Sequence, residues 1–478
     1  MFSLSDRLRS IWTRAASLGW PVAVQQTLNT LMRTVDIFVT GFFSPAAVAA
    51  IGLADLYSRL PLRIGMGLGS GAIALSSQET GRGADVTRDR AVTQALLLGF
   101  LAGLPLVAVG LLFGERLISV LGASATVART GGAYLAIVLA AAPLRIVGFV
   151  GARALQGTGD TRTPMVVNGG ATVLNILLSI ALGLGVAGAP RLGVVGVGIA
   201  TAVGRAIEAV GLVGVILSSR VSLSLARPRG LLLTRQLLEV SVPDVAGGLS
   251  TELARFPFNS LVLLFGTEAN AAYHIANRVY QQFTAPLFRA FRTVSSVLVG
   301  QELGAGRADD ARYAAYAICG LSLATLGVIG GLLFVFAAPL ATLFTDDLAT
   351  IGYATDFNRA FAVSMVFVGV YFPFSGSLKG AGDTRTPFWA GVVGSYVFLL
   401  GASYLLAVAL GYGIVGVYVG IVLSYVARAV VVGARMLDRD WTDLAARMID
   451  ERAAAEDGTG AEDGGDADPT DDGRARRG

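Results

Sequence analysis

The sequence predicts an all-α integral membrane protein of twelve transmembrane helices, arranged as two homologous six-helix lobes. Three observations carry this. Of the 478 residues, 54% are hydrophobic and 15% are charged, where a soluble domain carries about 25% charged residues. The mean hydropathy is +0.65, so too little polar surface exists to cover a soluble particle. Apolar stretches of roughly 20 residues or more, enough to cross a bilayer as a helix, recur twelve times. Short motifs of the first half return in the second in the same order.

Residues 1–16 place Phe2, Leu4, Leu8, Ile11 and Trp12 at helical spacing with Arg7, Arg9 and Arg14 between them. This pattern reads as an amphipathic helix lying on the membrane face, not as a signal peptide. The first lobe, 17–218, holds stretches near 17–43, 46–75, 91–113, 127–154, 165–187 and 194–218. Each is a helix because lipid offers no partner for backbone groups and a helix pairs its own. The polar segment 219–235, with Arg227-Pro228-Arg229, reads as a linker. The second lobe, 236–437, holds stretches near 236–265, 270–299, 311–343, 351–378, 388–410 and 413–437. Residues 438–478 read as an acidic, Gly-rich, disordered tail.

Charge placement orients the chain. Residues 450–478 hold ten of the 33 acids and four of the 37 basic residues, so the membrane body is basic. Arg7, Arg9, Arg14, Arg82, Arg88, Arg90, Arg162, Arg220, Arg227, Arg229, Arg235, Arg307, Arg312, Lys379, Arg385, Arg435 and Arg439 fall on one side; the other offers little beyond Arg116, Arg129 and Arg191. The positive-inside rule then makes both termini cytoplasmic. The basic residues face anionic lipid, which accounts for them without nucleic acid.

The repeat is the most informative feature. Leu155-Gln-Gly-Thr-Gly-Asp-Thr-Arg-Thr-Pro164 returns as Leu378-Lys-Gly-Ala-Gly-Asp-Thr-Arg-Thr-Pro387, an offset of 223 residues. Gln78-Glu79-x-Gly81-x-Gly83 returns as Gln301-Glu302-x-Gly304-x-Gly306 at the same offset, and Gly41 and Pro61 match Gly266 and Pro286 at 225. Six spans per half place both halves in the same orientation, related by an axis along the membrane normal. Two lobes around a cleft suit alternating access. In the repeated loops Gly157, Gly159, Gly380 and Gly382 allow tight turns; Asp160 and Asp383 are suited to capping the next helix, with Pro164 and Pro387 in its first turn. A gating salt bridge through Arg162 or Arg385 is the alternative role.

These motifs, with Val299-Gly-Gln-Glu-Leu-Gly-Ala-Gly-Arg307 and Ala271-Ala-Tyr-His274, resemble the multidrug and toxic compound extrusion (MATE) family, of DinF- or NorM-like type. The similarity runs from about Trp20 to Arg435. The resemblance implies a V-shaped pair of lobes and export of cationic or amphipathic compounds in exchange for Na⁺ or H⁺. A lipid or lipid-linked oligosaccharide flippase of the same superfamily is the alternative, and it would need a broadly cationic cleft. Among sources, a haloarchaeal one fits the Arg content (36 of 37 basic residues) and the acidic tail.

Charge inside the bilayer is costly and therefore marks function by default. Asp36 lies mid-helix in the first span, where the MATE pattern carries a coupling acid; a structural pair with Arg33 is the alternative. In the fifth span the DinF-like pattern has Asn then Asp four residues on. Here Asn175 is present and Ser179 replaces the Asp, on one helix face. A Ser offers oxygen to Na⁺ but carries no proton at useful pH, which leaves Asp36, Asn175 and Ser179 as a single-acid cation site; packing is the other role open to Ser179. Glu252 with Arg255 in the seventh span reads as a second cation site or as an ion pair holding the lobe. Met32, Tyr57, Met66, Tyr280 and Phe291 are the substrate-contact candidates, since aromatic and thioether groups suit flat organic cations. A single Cys (Cys319) and a single His (His274) leave no disulfide, no His/Cys metal cluster and no catalytic set, and no phosphate-binding loop is present. A non-enzyme without cofactor, monomeric in the plasma membrane and driven by an ion gradient, is the expectation.

Overall fold

The computed structural model describes residues 4–218 and 220–463. All its regular structure is helical. The first lobe comprises α1 (Leu4–Gly41), α2 (Pro45–Arg82), α3 (Asp85–Ser119), α4 (Ala125–Ala140), α5 (Ala142–Gly157), α6 (Arg162–Leu184) and α7 (Val194–Leu217). The second comprises α8 (Leu232–Leu263), α9 (Thr267–Phe283), α10 (Ala285–Gly304), α11 (Ala308–Val335), the short α12 (Ala337–Thr342), α13 (Leu348–Gly380), α14 (Arg385–Val392) and α15 (Ile414–Leu437). A last helix, α16, runs over Trp441–Asp463.

The twelve apolar stretches become twelve rods, four of them interrupted, one where α11 gives way to the short α12 at Phe336. The α4/α5 rod bends by 45° at Ala141, where Pro143 begins the next helix and cannot donate to the preceding turn. The α9/α10 rod breaks at Thr284 ahead of Pro286. After α14 the chain widens into π-helical turns over Val393–Ala402 and Leu405–Ala409. There α15 presses close: a methyl group on Gly416 would lie 2.3 Å from the Ala407 nitrogen.

Among the described residues, seven helices are long and apolar enough to cross a membrane, and the bent α4/α5 pair makes an eighth. The four remaining rods, α1, α2, α8 and α9/α10, are long but more polar. They form most of the seam between the lobes, where polar side chains face protein instead of lipid. Outward faces carry exposed apolar residues such as Leu111, Leu112, Val210 and Val335, which suits a lipid boundary.

Each lobe has its own core. The first packs Leu75, Leu96, Ile146, Leu155 and Leu212, with Ile118, Leu135 and Leu139 farther along. The second is aromatic. Phe288 stacks on Phe372 with centroids 4.0 Å apart, and Tyr280 on Phe361 at 5.0 Å. Asp347 starts α13 by accepting from the Thr350 amide at 2.8 Å, and these Thr350 bonds hold its carboxyl below the usual range.

Two expectations change. Phe2 lies outside the described residues, and residues 4–16 do not form a separate surface helix. They are the first turns of α1, because Ile11, Ala15 and Leu18 pack on Val294, Leu298 and Ile318 of the second lobe. Trp12 donates to the Ala317 carbonyl at 2.9 Å. The expected disordered tail is helical as far as Asp463. Trp441, Ala445 and Met448 form one buried stripe on α16, which the acids farther along had obscured. Residues 464–478 lie outside the described residues.

Candidate functional site

The seam closes at the end where α2 and α10 finish. Gln78 Nε2 donates to the Gly380 carbonyl at 2.8 Å, and Gln301 Nε2 donates to the Gly157 carbonyl at 3.0 Å. Both donors and both acceptors stand 223 residues apart, so each half offers its Gln to the loop of the other. The backbones touch here because Gly81 and Gly304 have no side chain. A methyl group on Gly81 would lie 2.0 Å from the Gln301 oxygen, and one on Gly304 would lie 1.8 Å from the Gln78 oxygen. Each Gln-Glu pair also receives an arginine from a terminal helix. Arg14 of α1 donates to Gln301 at 2.7 Å and pairs with Glu302 at 3.5 Å. Arg452 of α16 donates to Gln78 at 2.7 Å and pairs with Glu79 at 2.5 Å, both side chains being fully buried.

Within the first lobe, α6 turns Asn175 and Ser179 inward, both buried. The Ser179 hydroxyl donates to Asp36 Oδ1 at 3.2 Å across to α1. The Asn175 Oδ1 is buried without a hydrogen-bond partner. Asp36 and Ser179 thus meet through a carboxylate and a hydroxyl, and Asn175, one turn away on α6, adds an unpartnered amide oxygen; oxygens of these kinds suit a small cation. A polar chain continues nearby: Asn29 donates to Asn168 at 3.2 Å, Asn168 to Glu208 at 2.7 Å, and Arg205 to Glu208 at 2.8 Å. Sequence reasoning missed Asn29 and Asn168. Their signal was amide groups inside apolar spans. The described residues hold no group of three His, Cys, Asp or Glu side chains suited to a resident metal.

Between the lobes lies a narrow crevice with room for little more than a water molecule, lined by Met66, Ser70, Phe149, Arg153, Arg292 and Lys379 among others. Asp244 of α8 takes an ion pair from Lys379 and a 2.5 Å hydrogen bond from Ser70. Glu252, about two turns farther along α8, pairs across the seam with Arg63 and lies 3.9 Å from Arg59 and 3.4 Å from Arg255. Its oxygens face three guanidinium groups, so the geometry is that of an inter-lobe ion cluster and not of a metal site. The second cation site expected at Glu252 and Arg255 is therefore not carried forward. Asp244, Arg63 and Arg153 were missed although each is a charge within a span. Lys379, assigned to a loop by charge counting, is buried at the seam.

Comparison with known proteins now bears on this geometry. The family model described as MatE matches residues 21–181 and again 249–405, one match per lobe. The chain belongs to the MATE family. An uncharacterized transporter of Bacillus subtilis, YisQ, is 24% identical over 89% of this chain and 94% of its own length. A probable multidrug resistance protein NorM of Rhodopseudomonas palustris is 28% identical over 89% and 90%. The solved structure of a multidrug resistance MATE family transporter of the MOP superfamily, in an outward-facing conformation, aligns with a TM-score of 0.82 at 20% identity, over 88% of this chain and 95% of that one. The chain is thus a multi-pass membrane transporter of the multidrug-efflux type and not an enzyme.

The MATE fold sorts the remaining sequence candidates. Met66 lines the cavity. Met32 is buried. Tyr57 belongs to the first lobe's core and donates to the Leu117 carbonyl at 3.1 Å. Tyr280 sits in the aromatic core of the second lobe, bonded to Tyr425 at 3.1 Å. Phe291 packs with Ile11 and Leu18 of α1. For Tyr57, Tyr280 and Phe291 the contact role gives way to packing, because helical rotation turns each into a helix interface. In the repeated loops, Gly159 (φ 95°) and Gly382 (φ 88°) make left-handed turns. Asp160 accepts from the Thr163 amide and Asp383 from the Thr386 amide, both at 2.9 Å. Arg162 lies 5.9 Å over Trp20 and Arg385 is exposed, and among the described residues neither is in a salt bridge. His274 stacks at an angle on Tyr273, centroids 5.4 Å apart.

Proposed function

We propose that the protein is a secondary active antiporter that exports amphipathic organic compounds by alternating access in exchange for Na⁺ or H⁺. One observation carries the coupling half: Asp36 of α1 is bonded to Ser179 of α6, which also carries, one turn earlier, the buried and unpartnered Asn175 oxygen. A cation there replaces the missing partner of Asn175 and neutralises Asp36. Its binding and release alter the packing of α1 on α6, and α1 also touches the second lobe through Arg14, Gln26 and Trp12. Ion occupancy is thereby linked to the seam. The donor set of one acid and two neutral oxygens favours Na⁺; a proton on Asp36 serves the same neutralisation.

The alternating half follows from where the lobes meet. Among the described residues, cross-lobe hydrogen bonds and ion pairs run from Gln78 and Gln301 as far as Gln26, Arg59 and Glu252. With both termini cytoplasmic by the positive-inside rule, this end faces the cytoplasm, and the conformation is closed inward. The domain division into lobes 17–218 and 236–437, the plasma-membrane location and the monomeric state belong to this reading. It is tested in proteoliposomes by loading a substrate dye and imposing a pure Na⁺ gradient, a pure pH gradient or neither. Dye movement with neither gradient at an unchanged rate overturns coupled antiport.

A further inference from the structure

The charge around the seam crevice is unbalanced, with Arg153, Arg292 and Lys379 in its lining and Arg63 and Arg289 nearby. Arg63 (α2), Arg153 (α5), Arg289 and Arg292 (α10) and Lys379 (α13) are near enough to interact electrostatically, with Arg292 common to the other four. Two carboxylates answer them: Asp244 takes Lys379 and Glu252 takes Arg63. The other three cations have neutral hydrogen-bond or ring partners, although Asp244 is also near enough to attract Arg153 and Arg292. Arg153 donates to Gln156 at 3.0 Å and to Thr293 at 2.6 Å. Arg289 donates to Gln26 at 3.2 Å. Arg292 lies 5.9 Å over the Phe372 ring. None of these three has a carboxylate within ion-pair distance among the described residues. Met66, Ile73 and Phe149 supply an apolar wall beside them.

Arg153, Arg289 and Arg292 are half-buried; guanidinium groups gathered in a membrane-spanning seam are costly, and three near one another repel. The arrangement lowers its energy when an anion enters, and the planar fork of arginine fits carboxylate, sulfonate and phosphate oxygens. A cationic substrate would add to the excess instead. We propose that the exported substrate is an amphipathic organic anion, its acidic group held by Arg153, Arg289 and Arg292 and its apolar body against Met66, Ile73 and Phe149. This inference rests on the export reading above and names its substrate class, replacing the cationic compounds that the family resemblance implied.

The test uses the purified full-length protein in phosphatidylcholine vesicles. Under one imposed ion gradient, three probes are compared: carboxyfluorescein as the soluble anion, ethidium as the cation, and a fluorescent phosphatidylglycerol as the anionic lipid. The expected result is transport of carboxyfluorescein, reduced about tenfold by Arg292→Gln and Arg153→Gln, the loss of one charge-assisted hydrogen bond. Arg292→Lys should retain part of the rate. Because each Gln variant removes one of several like charges, its melting temperature should hold or rise; a fall in melting temperature that parallels the lost rate would instead assign these arginines to structure and overturn the proposal. Movement of ethidium but not of carboxyfluorescein overturns the anion class and leaves export standing. Movement of the lipid alone overturns a soluble substrate. If none of the three probes moves, the export reading fails together with the inference.

Discussion

At the scale of single residues, the proposed ion coupling is built around Asp36. Replacing it with Asn keeps the shape and the hydrogen bond from Ser179 but removes the charge that a cation would neutralise. Asp36→Asn should therefore abolish gradient-driven efflux while the protein remains folded, as read by dye flux in vesicles alongside gel-filtration monodispersity. Coupled efflux at the parent rate would remove Asp36 from the mechanism. Ser179 has a gentler role. Ser179→Ala deletes one neutral oxygen and should raise the ion concentration for half-maximal rate by about tenfold, the worth of one hydrogen bond to a charged group. An unchanged half-saturation in an ion titration would make Ser179 a packing residue.

The scale of the element is where the small residues matter. Two helices approach closely enough for Gln78 and Gln301 to reach opposing loops only because Gly81 and Gly304 are bare. A side chain at either position forces backbone against backbone, which cannot yield as a flexible side chain can. Gly304→Val should therefore shift the resting population away from the closed seam. Spin labels at Val86→Cys and Asp309→Cys, on exposed positions at the starts of α3 and α11, should report a longer distance component. An unchanged distance distribution would show that this end does not open.

For the molecule as a whole, the two terminal helices complete the seam. Each brings an arginine to a buried or half-buried Gln-Glu pair of the opposite repeat, Arg14 to Gln301-Glu302 and Arg452 to Gln78-Glu79. The Arg452 arm is the stronger, being fully buried and also bonded to Gln236 at 2.6 Å. Arg452→Ala leaves Glu79 buried with Arg82 as its remaining cation, so it should cost about 3–5 kcal/mol, the scale for a broken buried pair. Thermal melting in detergent checks this. A shift in melting temperature near zero would mean that Glu79 is hydrated or neutral instead. Because α16 contacts both lobes' residues near the closed end, the same variant should also loosen that end.

Much of this was legible in the residues. Hydropathy and the repeat are local properties, readable from one span or one pair of motifs, and they were enough for the helical class, the two lobes and the family. Asp36 with Asn175 and Ser179 emerged the same way, since a polar group in an apolar helix stands out wherever it lies. The sequence by itself therefore determined which segments enter the membrane and which charges are anomalous there. What it left undetermined was partnership. Ser179 meets Asp36 across 143 residues, Lys379 meets Asp244 across 135, and Arg452 meets Glu79 across 373. Helical spacing instead favoured neighbours three or four residues away, such as Arg255 for Glu252, and missed the Arg63 that pairs with it across the seam. Only the tertiary structure decided these pairings, and with them the excess of positive charge in the cleft, because an ion pair depends on distance in space and the spacing of residues along one helix carries no information about the helix that faces it.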